Sequence, residues 1–108
     1  MLILAREEVV AALLGLMVEL HGMQPRFPAE GESLADILER ERELVLIDCD
    51  HPACAAETIE LIRKSGGEPV LFSPFRLRTE VTNLATRYRA KSFTLPIDPD
   101  SFERLLKS

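Results

Sequence analysis

Three short runs of apolar residues constrain the fold of this chain more than any other feature. They are Met1–Ala5, Leu44–Ile47 and Pro69–Phe72, and none of them contains a polar side chain. A strand that is apolar on both sides must be covered on both sides, which happens in parallel sheets flanked by helices. The three runs therefore predict an α/β fold.

Segments with a helical period of apolar residues separate these strands. The predicted helices are Glu7–Leu20, Ser33–Arg42, Ala55–Lys64, Thr79–Tyr88 and a last one that opens at Asp98–Pro99. Two weaker strands complete the series: Met23–Phe27, which contains a proline, and Phe93–Leu95. The order is βα repeated five times. It favours a five-stranded parallel sheet of flavodoxin-like order 2-1-3-4-5 with helices on both faces.

Length and composition indicate one globular domain without a disulfide framework. The chain has 108 residues, 46% of them hydrophobic, and fits a single domain over residues 1–108. It has only two cysteines, Cys49 and Cys54, so we expect a cytoplasmic protein. The longest apolar run, Val9–Val18, is too short to span a bilayer. A net charge of −5 argues against direct binding to nucleic acid.

Polar side chains collect where the predicted strands end. In a parallel α/β sheet, the functional site lies at the carboxyl ends of the strands. Arg6 and Glu7 follow the first strand, Asp48 ends the third, and Ser73 follows the fourth. We therefore expect the site of this chain around Asp48.

This arrangement resembles the receiver domain of two-component response regulators, the CheY-like superfamily, over nearly the whole chain. Leu44–Asp48, with Pro52 four residues later, resembles the strand that ends in the phosphoacceptor. Ser73 stands where receivers have Thr or Ser, and Leu95–Pro99 resembles their segment after the fifth strand. The resemblance implies a signalling domain and not an enzyme, with a protein partner or effector domain. The chain would be a stand-alone domain or the N-terminal part of a longer regulator.

Four functional positions of receivers are altered in this chain. The acidic pair that holds a divalent cation reads Arg6–Glu7, and the lysine that contacts the phosphoryl group is Leu95. Pro74 stands where a small residue is usual, and the aromatic switch position is Ser92. Phosphoryl transfer depends on neutralising the charge of the phosphoryl oxygens. These changes therefore predict a pseudo-receiver that acts through protein–protein contacts and is independent of phosphorylation.

Arg6 would repel a divalent ion from the cation position. We predict that its guanidinium lies against Asp48 in place of the metal ion, so no cofactor is expected. Two alternatives stay open. In the first, Glu7 and Asp48 hold Mg²⁺, and a histidine kinase phosphorylates Asp48. The second is a small flavodoxin-like ligand-binding domain or enzyme with its site around Asp48, Cys49 and Ser73.

Two surfaces are candidates for contacts with a partner. The first helix is apolar on nearly all sides from Val9 to Val18. Either a neighbouring helix covers it, or it forms a dimer or partner interface through Leu13, Leu16 and Met17. By resemblance, the second surface is the output face of a receiver, and its bases suit an acidic partner. Those bases are Arg76, Arg78, Arg87, Arg89 and Lys91.

Several groups in the segment Asp48–Cys54 bind metals or exchange electrons in other proteins. Cys49, His51 and Cys54 offer two thiolates and an imidazole, which are zinc ligands. Their spacing matches no known zinc finger, and the simpler interpretation is one buried cysteine, one loop histidine and one cysteine at a helix start. A transition-metal site and a redox pair remain alternatives. Elsewhere, His21 follows the first helix, where a cation is favourable.

Overall fold

The chain folds into a parallel sheet flanked by helices in a computed structural model that describes residues 1–29, 31–40 and 44–107. Its strands are β1 (Leu2–Leu4), β2 (Leu44–Asp48), β3 (Glu68–Ser73) and β4 (Lys91–Thr94). Its helices are α1 (Glu8–Leu20), α2 (Leu34–Arg40), α3 (Ala56–Lys64), α4 (Arg78–Tyr88) and α5 (Pro99–Lys107). Neighbouring strands pair in the order β1-β2-β3-β4. The predicted α/β class is confirmed, whereas the predicted continuation of α2 to Arg42 lies outside the described residues.

Helices cover both faces of the sheet because successive strand residues point to opposite sides. Helices α2, α3 and α4 pack on one face, and α1 and α5 pack on the other. The buried residues of the first face are Leu2, Leu4, Ile37, Leu38, Val45, Ile47, Cys49, Ile59, Ile62, Leu71, Val81 and Ala85. Those of the second are Met1, Ile3, Leu14, Val18, Leu46, Val70, Phe72, Phe93 and Phe102. None of the described helices has the length and apolar character of a membrane span.

The predicted strand Met23–Phe27 is wrong as a full strand, because only Arg26 joins the sheet, through an isolated parallel bridge beside β1. The N–H of Arg26 donates to the Met1 carbonyl at 2.7 Å, and the N–H of Ile3 donates to the Arg26 carbonyl at 2.9 Å. The next bond of this ladder would need an N–H from Pro28, which has none. The sheet of the described residues has four strands, and the prediction of five is wrong.

Side-chain hydrogen bonds mark the starts of α2 and α5, as the sequence predicts. The Ser33 hydroxyl accepts the N–H of Asp36 at 3.2 Å in the first turn of α2. At α5, Asp98 accepts the N–H of Ser101 at 2.8 Å, and Pro99 occupies the first helical position. Both are typical N-terminal arrangements.

His21 links the end of α1 to the start of α5, a contact that its sequence position alone did not reveal. Its Nδ1 lies 2.8 Å from the Met17 carbonyl oxygen, and its Nε2 lies 3.1 Å from the Pro99 carbonyl oxygen. A neutral imidazole has one N–H, so only the imidazolium donates to both carbonyls. The hydrogen bond to Met17 is the main reason that the pKa of His21 is raised above its ordinary value, and the bond to Pro99 adds to it.

The His21 link should make the protein relatively more stable in mild acid than in mild base. Its pKa is raised on folding, so its contribution is complete below the unfolded value of 6.5 and is lost as pH rises through the folded value. The charge of Glu103 supports the imidazolium and that of Lys107 opposes it. We expect the gap in melting temperature between the wild type and His21→Asn to close as pH rises.

The other histidine provides the control for this measurement. Burial lowers the pKa of His51. The contribution of His51 to stability is therefore complete above pH 6.5 and decreases as the pH falls below that value, which is the opposite pH dependence to that of His21. The difference between His51→Asn and the double variant with His21→Asn should therefore still close above pH 6.5. A gap that stays constant across this range would contradict a protonated link.

Candidate functional site

Asp48 is enclosed at the carboxyl end of β2, between β1 and β3. Only 1% of its surface is exposed. An unpaired buried carboxylate is costly, so it must find hydrogen-bond donors nearby. The N–H of Arg6 donates to Oδ2 at 3.2 Å, and the N–H of Asp50 donates to Oδ1 at 2.9 Å. Asp48 thus ties the loop after β1 to the loop after β2.

The predicted ion pair between Arg6 and Asp48 is wrong. Arg6 reaches the carboxylate through its backbone N–H, while the residue itself is exposed. Among the ion pairs of the described residues, none joins its guanidinium to Asp48. The physical reason is that β1 ends at Leu4, so the alternation of the strand no longer directs the side chain of Arg6.

No cluster of metal-ligating side chains surrounds Asp48 in the described part of the chain. Glu7 is exposed at the residue before α1, and both carboxylate oxygens of Asp48 already accept an N–H. Mg²⁺ requires near-octahedral oxygen coordination. Within the described ranges, no three His, Cys, Asp or Glu side chains come together to hold a metal ion. The alternative zinc site of Cys49, His51 and Cys54 is therefore not assembled among the described residues.

The arginine that neutralises a carboxylate at this end of the sheet is Arg76. Its Nη2 donates to Asp50 Oδ1 at 2.8 Å, and its Nε donates to the same oxygen at 3.1 Å. The hydrogen bond with Asp50 is the main reason that the pKa of Arg76 is raised. This pair joins the β2–α3 loop to the β3–α4 loop. Sequence reasoning had placed Arg76 only on the docking surface.

By resemblance, Ser73 and Leu95 correspond to the Thr or Ser and to the lysine of receivers. The buried Ser73 hydroxyl oxygen accepts the N–H groups of Phe75 at 3.2 Å and Arg76 at 2.9 Å, which closes the β3–α4 loop. Leu95 is half-buried and packs against the apolar cluster beneath α1 and α5. The position that carries a lysine in receivers therefore contributes packing and no charge.

Cys49 and Cys54 belong to the same apolar cluster. Cys49 is buried directly after Asp48, Cys54 is half-buried, and both pack in the cluster beneath α2, α3 and α4. The neighbouring Cys54 thiol and burial raise the pKa of Cys49, whereas the neighbouring Cys49 thiol lowers the pKa of Cys54. Between them, the N–H of Ala53 donates to His51 Nδ1 at 2.9 Å.

The bases of residues 76–91 do not form one face. Arg78 begins α4, whereas Arg87 and Arg89 lie at its other end, roughly 16 Å away by the rise of a helix. There they line a groove with two bases of α3 that the sequence analysis did not include, Arg63 and Lys64. In addition, Lys91 pairs with Glu68 at 2.8 Å. The predicted basic surface is divided, and its larger group lies away from Asp48.

One side of α1 remains exposed. Val9, Leu13, Leu16 and Leu20 are between 48% and 81% exposed, and we call them the apolar stripe. Their spacing of four, three and four residues places them on one side of the helix. Leu14 and Val18 face the sheet, and Met17 is half-buried against the same cluster. The stripe includes two of the three predicted interface residues and extends to both ends of α1.

A groove of about 330 Å³ lies between α4, β4 and α5. Val81 and Thr82 line it from α4, and Leu105 lines it from α5. Ser92 and Thr94 line it from β4.

Comparisons with known proteins identify the fold. No protein-family model and no curated protein matches this sequence. Solved structures of CheY-like receivers, in contrast, match nearly the whole chain. A response regulator receiver domain protein (CheY-like) from Methanospirillum hungatei JF-1 has a TM-score of 0.70 at 20% identity, covering 98% of this chain and 88% of that one.

Two further structures give the same result. A response regulator from Thermotoga maritima has a TM-score of 0.75 at 14% identity, with 98% of this chain and 92% of that chain covered. The receiver domain of a sensor histidine kinase from Pseudomonas aeruginosa PAO1 has a TM-score of 0.74 at 18% identity, with the same coverage. That receiver has a magnesium ion coordinated in its active-site cleft. The chain therefore has the CheY-like receiver fold, which confirms the resemblance seen in the sequence.

Proposed function

We propose that this chain is a pseudo-receiver, a cytoplasmic signalling domain that binds other proteins and is not phosphorylated at Asp48. The observation that carries the proposal is the enclosed carboxylate, whose two oxygens are held by backbone N–H groups. Phosphoryl transfer needs a positioned nucleophile and charges that neutralise the phosphoryl oxygens. Leu95 supplies no charge, and Glu7 is exposed. Asp48 acts in this proposal as a structural anchor.

A phosphoryl analogue tests the proposal directly. Mixing the protein with Mg²⁺ and beryllofluoride should leave the amide NMR signals of Asp48, Asp50 and Ser73 unchanged, because the proposal assigns no cation to Asp48. A phosphorylatable receiver in the same buffer serves as the positive control. Saturable shifts that disappear in Asp48→Ala would show instead that Asp48 is a working phosphoacceptor, which is the alternative function.

We infer that an effector domain or partner protein binds the groove between α4, β4 and α5. The groove is lined by the small side chain of Ser92, and Arg78 contributes a positive charge to its lining. Next to Arg78 in the chain, Leu77 is an exposed apolar side chain, as is Phe75. An apolar contact beside a charged rim is a common composition for a protein interface.

We also infer that the apolar stripe of α1 pairs with a second copy of the chain. Alternating spacings of four and three residues are the pattern of a coiled-coil seam. In a two-fold dimer the same patch on each copy contacts its counterpart, so the stripe can pair with itself. Sedimentation velocity should show self-association that rises with concentration. Leu16→Glu should abolish it, because the carboxylate would be buried without a partner.

The control for this experiment is Leu77→Glu, which adds the same charge at another exposed leucine, outside α1. This variant should associate like the wild type. A wild-type protein that stays monomeric at every concentration tested would contradict the pairing of α1.

A further inference from the structure

We propose that a pocket beside β1 binds a free α-amino acid with an apolar side chain, which makes the domain a receptor for a small ligand. The pocket has a volume of about 560 Å³ and lies where the chain after Arg26 leaves the edge of the sheet. The inference goes beyond the proposed function, because binding a partner protein requires no small ligand. It rests on two backbone groups without partners, on one charge of each sign and on apolar walls.

Two backbone groups at the edge of β1 have no hydrogen-bond partner among the described residues. The N–H of Ile3 points to this edge, where it donates to the Arg26 carbonyl. In an extended strand, the carbonyl of the same residue and the N–H two residues later point to the same side. The Ile3 carbonyl would meet Pro28, which has no N–H, and no described residue accepts the N–H of Ala5. The edge therefore offers one acceptor and one donor, which match the amino and carboxyl groups of a single amino acid.

The charged side chains of the pocket lining have opposite signs. Arg6 and Glu8 both line the pocket and are exposed, and neither takes part in an ion pair of the described residues. The carboxylate of an amino acid would accept hydrogen bonds from the Arg6 guanidinium and the Ala5 N–H, and its ammonium would donate to Glu8 and to the Ile3 carbonyl. A ligand with only a negative charge would be repelled by Glu8, and one with only a positive charge by Arg6. The lining thus suits a zwitterion.

His51 adds an uncharged hydrogen-bond donor to the same lining. Its Nδ1 accepts the N–H of Ala53 at 2.9 Å, so the proton of the neutral ring is on Nε2. Burial lowers the pKa of His51, which keeps the ring neutral near neutral pH. Nε2 can therefore donate to the ligand carboxylate without adding a third charge to the pocket.

Apolar groups form the remaining walls of the pocket. Ala11 and Ala12 line it from α1, and Phe27 and Pro28 line it from the segment that leaves the sheet. The Phe27 ring lies against Gly15, where an added β-carbon would be 3.0 Å from the ring atom Cζ. The missing side chain at Gly15 thus lets the ring pack on α1 beside the pocket. These walls favour an aliphatic side chain, such as that of leucine, because its contact removes apolar surface from water.

A ligand in this pocket would act on the loop that supports Asp48. The side chain of Arg6 lines the pocket, while its backbone N–H donates to Asp48 Oδ2 at 3.2 Å. A ligand that holds the Arg6 guanidinium would therefore restrict the loop after β1. We expect the amide signal of Asp50, the second donor to Asp48, to shift together with that of Arg6.

NMR titration of the wild-type chain tests the class of ligand. L-Leucine should shift the amide signals of Ala5 and Arg6 in a saturable way. Leucinamide, which lacks the carboxylate, and N-acetyl-leucine, which lacks the ammonium, should each bind at least about tenfold more weakly. Tighter binding of N-acetyl-leucine than of L-leucine would identify a site for peptide C-termini and overturn the proposal. The absence of saturable shifts with L-leucine, L-valine and L-phenylalanine would also overturn it.

Variants of exposed residues test each side of the pocket. Arg6→Gln and Glu8→Gln should each weaken L-leucine binding at least about tenfold, because each removes a charged partner of the ligand. Ala12→Leu should prevent binding by filling the pocket. All three residues are exposed, so the melting temperatures of the variants should match that of the wild type.

The matched control is Glu57→Gln, which removes the same charge from the first turn of α3, outside the pocket. This variant should bind L-leucine like the wild type. Tighter binding by Glu8→Gln would show that the ligand is a simple anion and would overturn the zwitterion. None of these results depends on whether Asp48 binds beryllofluoride, so the pocket and the proposed function are tested separately.

Discussion

Replacing Asp48 with alanine is expected to lower the free energy of unfolding by about 1–3 kcal/mol, because part-buried N–H groups would lose their acceptor. The groups affected are the backbone N–H of Arg6 and that of Asp50, which lie on two different loops. Both loops meet at the carboxyl end of the sheet, so their loosening should affect the whole domain. Urea unfolding followed by circular dichroism measures the change.

The sign of the change in unfolding free energy in Asp48→Ala shows whether Asp48 is a structural anchor or one carboxylate of an acidic metal site. In a cluster of carboxylates that awaits a cation, removing one of them relieves repulsion and stabilises the protein. In this chain, the Asp48 carboxylate accepts the N–H groups of Arg6 and Asp50, and no other side chain of the described residues accepts them. A rise in stability in Asp48→Ala, or Mg²⁺-dependent stabilisation of the wild type, would argue for the phosphoacceptor alternative.

A matched control lies two residues away. Asp50→Ala removes the carboxylate that pairs with Arg76 but keeps the N–H that donates to Asp48. The pair is partly exposed to solvent, so its loss should cost at most about 1 kcal/mol. Equal losses of unfolding free energy in Asp48→Ala and Asp50→Ala would show that any negative charge at this end of the sheet stabilises the protein to the same extent. The hydrogen bonds of the enclosed carboxylate would then have no special role.

The fold could be predicted from the sequence because its strongest signals are local. Apolar runs must be buried on both faces, and this requirement alone specifies a parallel sheet with helices on either side. Ser33 and Asp98 mark helix starts by hydrogen bonds within one turn, which a sequence pattern captures. The failed strand at Met23–Phe27 was also a local matter, since Pro28 ends the ladder.

The site was harder to predict because its contacts join distant parts of the chain. The sequence placed Asp48 at a strand end correctly, but it did not say whether Arg6 would use its guanidinium or its backbone N–H. Arg76 reaches Asp50 only because β2 and β3 are neighbours. His21 and Pro99 are 78 residues apart, and the packing of α1 beside α5 alone brings them together. No spacing rule contains this information.

The largest loss of stability is expected when Phe102 becomes alanine. Phe102 is fully buried, with 0% of its surface exposed, and anchors α5 to the sheet. Its ring lies edge-on to Phe93, with centroids 5.8 Å apart, and edge-on to His21 at 5.3 Å. Truncating a buried aromatic ring costs about 3–5 kcal/mol through lost burial and the cavity that remains. Urea unfolding should show this decrease.

The matched control is Phe75→Ala, which removes the same ring from a position that is 76% exposed. Its stability should change by less than about 0.5 kcal/mol. If the two variants lost stability equally, α5 would not be held on the sheet by Phe102, and one wall of the groove that we assign to the partner would be unsupported. A large loss confined to Phe102→Ala would show that α5 is packed firmly enough to hold that groove open.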